Sequence, residues 1–453
     1  MKRLFLLVLI GCFVVAGGLL ALAQEEEIVE FYVRCWARPP MESWRGNNIV
    51  LAVAELNADL EAAGDPRRVE VNLLQDDPRD WGNYVTEFLL AYGVEEAPDI
   101  WLTGHEHIGT QAEAGRIIAL DELMKEFPTF NLVIDALWDS TMYKDEIWGV
   151  PQDAEARPLY FNKTLLKELG WSANKIAALP GEIEEGEFTL YDMLAVAKEA
   201  VDKGVVKEGN GFWMRPKNGP DFTALYYAFG GDTIDTATGK LVFDEAAGLK
   251  YYQFFYDAAQ NYGSMSCLHG DWSLWHGTIT DGKVLFWVGG TWQWAEWAVE
   301  YLKELGGEAY LWENWGFGLI PAAVEGGKPN SLTHPLVYTI SSQCEHPDLA
   351  LALLAKVTNY GPNTRHAIAS NHLGILKDQT EYKFYKDSRM LREALYMLAY
   401  TTFLPNNPDW GSYSTITYEA LAAAVGGDLT PQEAVDFVVE SLQRELGDKV
   451  IIR

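Results

Sequence analysis

Apolar positions follow two alternating rhythms along the chain. Residues 28–34 form a short β-rich run. Ile49, Val53, Leu56 and Leu60 then recur at spacings of three and four, one stripe of a helix, and Asn48 stands where a cap would sit. Gly64-Asp65-Pro66 breaks that helix, and residues 69–74 read as a second strand. Trp81, Tyr84, Val85, Phe88, Leu89 and Tyr92 form the next helical stripe, and Pro98-Asp99 leads into a third strand, Ile100-Trp101-Leu102. This β-α-β-α-β order predicts an α/β unit with a mainly parallel sheet and helices on both faces. Ligands of such sheets lie beyond the carboxyl ends of the strands. Those ends hold Trp36 and Arg38, then Asp76 and Asp77, then residues 103–107 with His105 and Glu106.

The pattern changes at Gly149-Val150-Pro151, a crossing between units. A second α/β region follows, with helices expected over 190–201, 222–229 and 245–261 and strands over 212–214, 283–288 and 316–320. Gly289-Gly290 makes a tight turn, and Thr291 is placed to cap the next helix. Glu325-Gly326-Gly327-Lys328-Pro329 predicts a second crossing. Helical stripes then run over 347–358, 389–400, 418–424 and 431–446, with no internal repeat and no low-complexity segment.

Before the first strand, Lys2 and Arg3 precede an apolar stretch over 4–22, and Ala21-Leu22-Ala23 matches a small-x-small cleavage site. Residues 1–23 therefore read as an export signal. Leu9-Ile10-Gly11-Cys12 offers a competing reading, the box before a lipid-modified cysteine, but its apolar run is short. No later segment has the length and apolarity of a membrane span. The expected location is outside the cytoplasm, in the periplasm or at the outer face of the cytoplasmic membrane. Removing the signal takes the net charge from -30 to -32, since Lys2 and Arg3 leave with it. So acidic a chain repels nucleic acid and anionic lipid. Cys35, Cys267 and Cys344 remain, an odd and scattered set that favours inert thiols over a disulfide framework.

The chain has no phosphate-cradling loop, no dinucleotide fingerprint, no nucleophile elbow, no HExxH and no CxxC. His105-Glu106-His107 shows no third ligand at useful spacing, so loop polarity is preferred and no metal is expected. Asp232, Asp235 and Thr238 fit a calcium loop, but the turn at Thr238-Gly239-Lys240 explains them equally well, and no cofactor is expected. Glycoside hydrolysis needs two carboxylates, for which Asp76 with Asp77 or Asp153 with Glu155 could serve. Among 65 acidic residues such pairs arise by chance. Tryptophan is the informative residue, with 17 in 453. At least half should fill cores, yet Trp36, Trp292 and Trp410 stand at strand ends, turns or helix starts. Indoles suit the C–H faces of a pyranose, and Asp, Glu, Asn, Gln and Arg suit its hydroxyl rim.

Several motifs in order resemble the extracellular solute-binding proteins of ABC sugar importers (family 1, maltose-binding-protein-like). They are Ala97-Pro98-Asp99-Ile100 with Gly115-Arg116-Ile117-Ile118-Ala119-Leu120, and Trp148-Gly149-Val150-Pro151 with Leu159-Tyr160-Phe161-Asn162-Lys163 through Gly170-Trp171. Gly282-Lys283-Val284-Leu285-Phe286-Trp287 with Gly290-Thr291-Trp292, then residues 405–410, and finally Thr430-Pro431-Gln432-Glu433-Ala434 complete the set. The resemblance implies a two-lobed periplasmic-binding-protein fold (type II) with discontinuous lobes joined by a hinge: 24–153 with 328–378, and 154–327 with 379–453. It implies a non-enzymatic monomer that encloses a carbohydrate, an oligosaccharide above all, and delivers it to ABC permease subunits. Hinge closure of this kind is the known behaviour of such receptors. Trp292 would be the stacking platform, Glu155 a carboxylate holding hydroxyls, and Glu106 the acid after strand three. His107 departs from the family's arginine, and Trp36 and Arg38 match its charged first-strand loop in place but not in type. Trp213, Arg215, Trp410 and Tyr413 would add contacts, whereas Tyr251, Tyr252, Phe254 and Phe255 belong to a helix core. An exported glycosidase or lyase is the competing reading, and a peptide or polyamine receptor is a third.

Overall fold

The computed structural model describes residues 26–76, 81–265 and 271–453. The export signal with Cys12, together with Asp77 and Cys267, lies outside them, and only the backbone of Asp76 is described. The strands of the two main sheets, in chain order, are β1 (Glu27–Trp36), β2 (Arg67–Asp76), β3 (Ile100–Gly104), β4 (Val150–Pro151), β5 (Leu159–Asn162), β6 (Phe212–Trp213), β7 (Phe286–Val288), β8 (Trp315–Gly318) and β9 (Leu336–Ile340).

The first sheet has the order β2-β1-β3-β9-β4. β1 runs parallel to β2 and β3, as the β-α-β-α-β order predicts. β9 inserts antiparallel between β3 and β4 and pairs Leu336 with Gly104. The helix Trp44–Ala63 lays Ile49, Ala52, Leu56 and Leu60 on this sheet and ends at Gly64, whose φ of 73° a side chain would resist. Pro347–Val357 packs into the same core through Leu349, Leu353 and Leu354. The expected cap at Asn48 is corrected: the helix starts a turn earlier, at Trp44. Asn48 instead donates to Pro362 O at 2.9 Å and accepts from Arg365 Nη1 at 2.9 Å.

The second sheet, β8-β5-β7-β6, forms the other lobe. Its centre is aromatic: Trp287, Trp294, Trp297 and Trp315 are fully buried around Tyr160. Burying an indole removes 150–250 Å² from water, roughly 4–6 kcal/mol each in gross transfer terms. The helices Leu190–Asp202 and Pro431–Leu446 begin with reciprocal capping boxes, Thr189 with Asp192 and Thr430 with Glu433. Three helices differ from expectation, the first being the one expected over 389–400, which is α-helical over Arg389–Ala394 and tightens to a 3-10 segment at Leu395–Tyr400. Glu245–Tyr256 widens into a π turn at Asp257–Asn261, and the helix expected over 418–424 already begins at Trp410. Thr291 does not cap: its hydroxyl is buried without a partner, and Gln293 Oε1 accepts the Gly290 N–H at 2.9 Å instead.

The chain passes repeatedly between the sheets. It links β4 to β5 through 152–158 and joins Ser331–Leu332 to Thr401–Thr402. It also bridges Ala154 to Leu373. Among the described residues no helix is long and apolar enough to cross a membrane. Cys35 and Cys344 are free thiols, and burial pushes both up to about 12, which makes them poor nucleophiles. Asp235 accepts from the Thr238 amide and hydroxyl, and Asp232 pairs with Arg453 at 2.7 Å, so both carboxylates serve the turn and the chain end.

Candidate functional site

The carboxyl ends of β1 and β3 face the second lobe. Arg38, two residues past β1, donates from Nη1 to Glu296 Oε1 at 2.8 Å, and Glu296 closes the short helix Gln293–Glu296. His105, directly after β3, meets Asn406 Oδ1 at 3.0 Å. Asn406 in turn donates to Ser140 O and Met142 O, so the segment before the helix Trp410–Gly426 is pinned to the first lobe.

A buried ion network runs from this edge into the hinge. Arg38 and Arg45 share Glu42, at 3.6 and 2.9 Å. Arg45 donates twice to Asp153 Oδ2, at 2.8 and 3.2 Å. The same oxygen takes His366 Nε2 at 3.1 Å, and Asp153 Oδ1 takes the Leu336 amide of β9 at 3.1 Å. Burial opposes ionisation of Asp153, but His372, Arg45 and His366 overcome it and hold the carboxyl well below its usual range. Burial likewise opposes Glu42, which Arg45 and Arg38 bring down to about 2. Burial lowers His372 to about 3, so it is neutral and accepts from Arg45 Nη2 at 3.0 Å. Arg45 thus carries the positive charge of this knot. On the other side of the hinge, Arg157 pairs with Glu155 and Asp221, and Arg215 meets Asp221 at 3.0 Å. Burial pushes Glu155 up to about 7 against the pull of Arg157.

Trp292 stands between the two halves of the network. Its ring lies under the Arg157 guanidinium at 4.4 Å and parallel to the His372 imidazole at 5.5 Å and 14°. A side chain at Gly290 would fall 1.7 Å from the indole, so that glycine is what admits the ring. Half-buried indoles flank the junction from both lobes. Trp36 meets Trp81 edge-on at 4.8 Å, and Trp81 Nε1 donates to His107 Nε2 at 3.1 Å. Opposite them, Trp272 lies under Arg215 and beside His276. Buried polar atoms without an internal partner also gather here: Arg157 Nε, Arg215 Nε, Thr291 Oγ1, Glu296 Oε2, His366 Nδ1 and His372 Nδ1. Such atoms are uncommon in folded proteins, and each calls for a partner such as water, an ion or a ligand.

The structure therefore brings together Trp36, Arg38, Asp153, Glu155, Arg215 and Trp292. His105 and Glu106 adjoin them but form a cluster of their own with His334, whose Nε2 lies 2.7 Å from Glu106 Oε2. Trp213 is placed elsewhere: it is a buried residue of β6 whose indole donates to Gly209 O. Trp410 and Tyr413 stack on each other inside the second lobe, where Tyr413 donates to Val242 O at 2.7 Å. The cavity they line, about 30 Å³, suits a water or two rather than a sugar ring. Tyr251, Tyr252, Phe254 and Phe255 are helix core, as expected. Sequence reasoning missed Glu42, Arg45, Arg157, Asp221, Glu296, His334, His366 and His372. One signal was present: in Asp153-Ala154-Glu155-Ala156-Arg157, ionisable residues alternate with alanines immediately before an apolar strand.

A family model described as bacterial extracellular solute-binding protein matches residues 55–387. The maltotriose-binding protein of Pyrococcus abyssi is 21% identical over 233 residues, which is 51% of this chain and 44% of that relative, so the match spans less than half the relative's length. Among solved structures, the GacH receptor of Streptomyces glaucescens superposes with a TM-score of 0.72 at 17% identity, covering 93% of this chain and 100% of that one. The cyclic alpha-maltosyl-1,6-maltose binding protein of Arthrobacter globiformis gives 0.71 at 17%, with 93% and 100% coverage. At these identities the likeness is one of fold.

Proposed function

The chain belongs to the bacterial extracellular solute-binding proteins, and from that premise we propose that it is an exported carbohydrate receptor. It closes its lobes around an oligosaccharide and presents it to an ABC importer in the membrane, without altering the sugar's bonds. One observation carries this reading: unpartnered buried polar atoms surround half-buried indoles where the two lobes meet. Indole faces match pyranose C–H faces, and bare guanidinium, imidazole and carboxylate atoms match hydroxyls that both donate and accept. The names of the relatives, which bind maltotriose and cyclic maltosides, support the same class of ligand.

The proposed contacts are Trp36 and Arg38 from the first lobe, Arg215 and Trp292 from the second, and Glu155 at the hinge. Trp292 stacks on His372, a neighbour of Arg45 and Asp153, so parting the lobes would free that face of the indole for a sugar. A ligand favours closure only by its differential affinity for the closed state. Tryptophan fluorescence titration against a panel of mono- and oligosaccharides tests the reading. A saturable change with at least one sugar is expected, and the sugar is recovered intact. Recovery of shortened products would move the assignment to a glycosidase or lyase, and a response to peptides or polyamines alone would move it to another solute. Trp292→Ala should weaken binding by about 2 kcal/mol or more, the usual loss for a central aromatic anchor. Unchanged affinity in that variant would remove Trp292 from the site.

A further inference from the structure

We propose that His105, Glu106 and His334 form a binding site for a divalent transition metal, with zinc the best match. One ligand atom from each residue lies within 4.8 Å of the others. The set is two imidazoles and a carboxylate, which suits zinc in a tetrahedral site with one open position. It is assembled from distant parts of the chain. His105 and Glu106 leave the end of β3, and His334 comes from the crossing segment just before β9.

The hydrogen bonds fix the tautomer that a ligand needs. Asn406 Nδ2 donates to two carbonyls, Ser140 O at 2.7 Å and Met142 O at 3.0 Å, so its Oδ1 must be the atom facing His105. Carbonyl oxygens cannot donate, so His105 Nδ1 carries the hydrogen and Nε2 presents a bare lone pair. That Nε2 is buried without a partner, on a residue with 0% exposure. A ligating histidine characteristically has this arrangement, its far nitrogen held by a polar acceptor. Gly104 contributes as well: a Cβ there would lie 2.2 Å from Glu106 Oε2, so the glycine lets the carboxylate fold back over the strand end. The ion pair between His334 and Glu106 leaves the His105 lone pair unanswered, and a metal answers all three groups.

Two neighbours are excluded. His107 Nε2 already accepts the Trp81 indole N–H. Asp153, His366 and His372 form a second group of suitable residues, but Arg45 fills the cation position there, donating to both Asp153 and His372. The proposal is independent of the ligand in the cleft, and its test uses no carbohydrate.

The full chain, freed of metal by chelation, is titrated with Co2+ while visible ligand-field absorption is followed, and Zn2+ is then added in competition. One equivalent of Co2+ should bind with the strong bands of a four-coordinate site and be displaced by Zn2+. His105→Ala and His334→Ala should abolish the bands. Asn406→Ala should weaken binding by roughly 10–100-fold, the usual effect of removing a group that orients a ligand. Absence of bands and of Zn2+ binding in the wild-type chain overturns the proposal, whatever the variants do. Binding that survives in His334→Ala and is lost in His366→Ala places the ion in the second group and overturns it equally.

Discussion

Asp153→Ala should lower the folding free energy by about 3–5 kcal/mol, the characteristic loss when one member of a buried ion pair is removed. The carboxylate is 1% exposed and accepts from Arg45, His366 and the Leu336 amide. Alanine removes the acceptor of the Leu336 amide and leaves His366 Nε2 with Ser370 Oγ at 3.3 Å and Arg45 Nε with Gln152 Oε1 at 3.3 Å. Glu42 would still face Arg45, at 2.9 Å, so the loss falls short of a wholly uncompensated guanidinium. Denaturant unfolding of wild type, Asp153→Ala, Arg45→Met and the double variant Arg45→Met/Asp153→Leu separates charge from packing. The double variant should recover only part of the loss, because the apolar pair removes two buried charges but leaves Glu42 with Arg38 alone, at 3.6 Å. A single variant within about 1 kcal/mol of wild type would show that the knot is hydrated and does not hold the hinge. The sign with pH also follows. The folded carboxyl titrates well below its ordinary 3.8, so its contribution is complete above that value and disappears as the pH falls further.

That knot explains why the fold was easier to read than the site. The β-α-β-α-β start is encoded locally: apolar stripes at three and four, broken by Gly64 and by Pro98, fix helix and strand without help from the rest of the chain. The closing helix Pro431–Leu446 was legible for the same reason. β9 was not. Leu336–Ile340 is a buried five-residue run whose period tells nothing, and it acquires strand character only from β3, more than 230 residues earlier. The site failed in the same way. Arg45, Arg157, His366 and His372 look like surface residues in sequence, and only tertiary pairing places them inside. The place of Trp292 at the lobe junction could be read because Gly289-Gly290 marks a tight turn before it. Trp213 and Trp410 were misassigned because an indole at an element's edge looks the same whether it faces a cleft or a core.

Raising the pH from about 5 to about 8 should shift the ligand-free chain from the form in which the lobes meet at Arg38 and Glu296 toward an open one, by roughly tenfold or more in the equilibrium, and Glu296→Gln should remove much of that dependence. With the lobes in contact at Arg38, Glu296 is 5% exposed. Around it stand Arg38 and Glu42 of the first lobe, His276 at 3.5 Å, and Glu300. His276 takes the Trp297 indole N–H on Nδ1, and burial lowers it to about 3, so it is neutral and offers Nε2–H rather than charge. Burial therefore prevails at Glu296, with Arg38 opposing, and pushes the carboxyl up to about 7. One of its oxygens, Oε2, has no partner, which is consistent with a carboxylate poorly compensated when ionised. Parting the lobes returns water to Glu296 and lets it approach its ordinary 4.5. The closed form then binds more protons than the open form between about 4.5 and 7, so closure is favoured at the acid end and loses support as the pH rises through 7. The interval between those values corresponds to about 3 kcal/mol at roughly 1.4 kcal/mol per pH unit, an upper bound on the effect. Glu155, also near 7 and buried at the hinge, adds a contribution of the same sign if opening wets it, so the variant should flatten the profile without abolishing it. Small-angle scattering of the ligand-free chain reads this balance, with the compact form prevailing at low pH and the extended form gaining as the pH rises. A compact fraction that is flat or rises with pH in the wild-type chain would show that Glu296 stays hydrated on closure, and that the Arg38 pair is a rim contact rather than part of the latch.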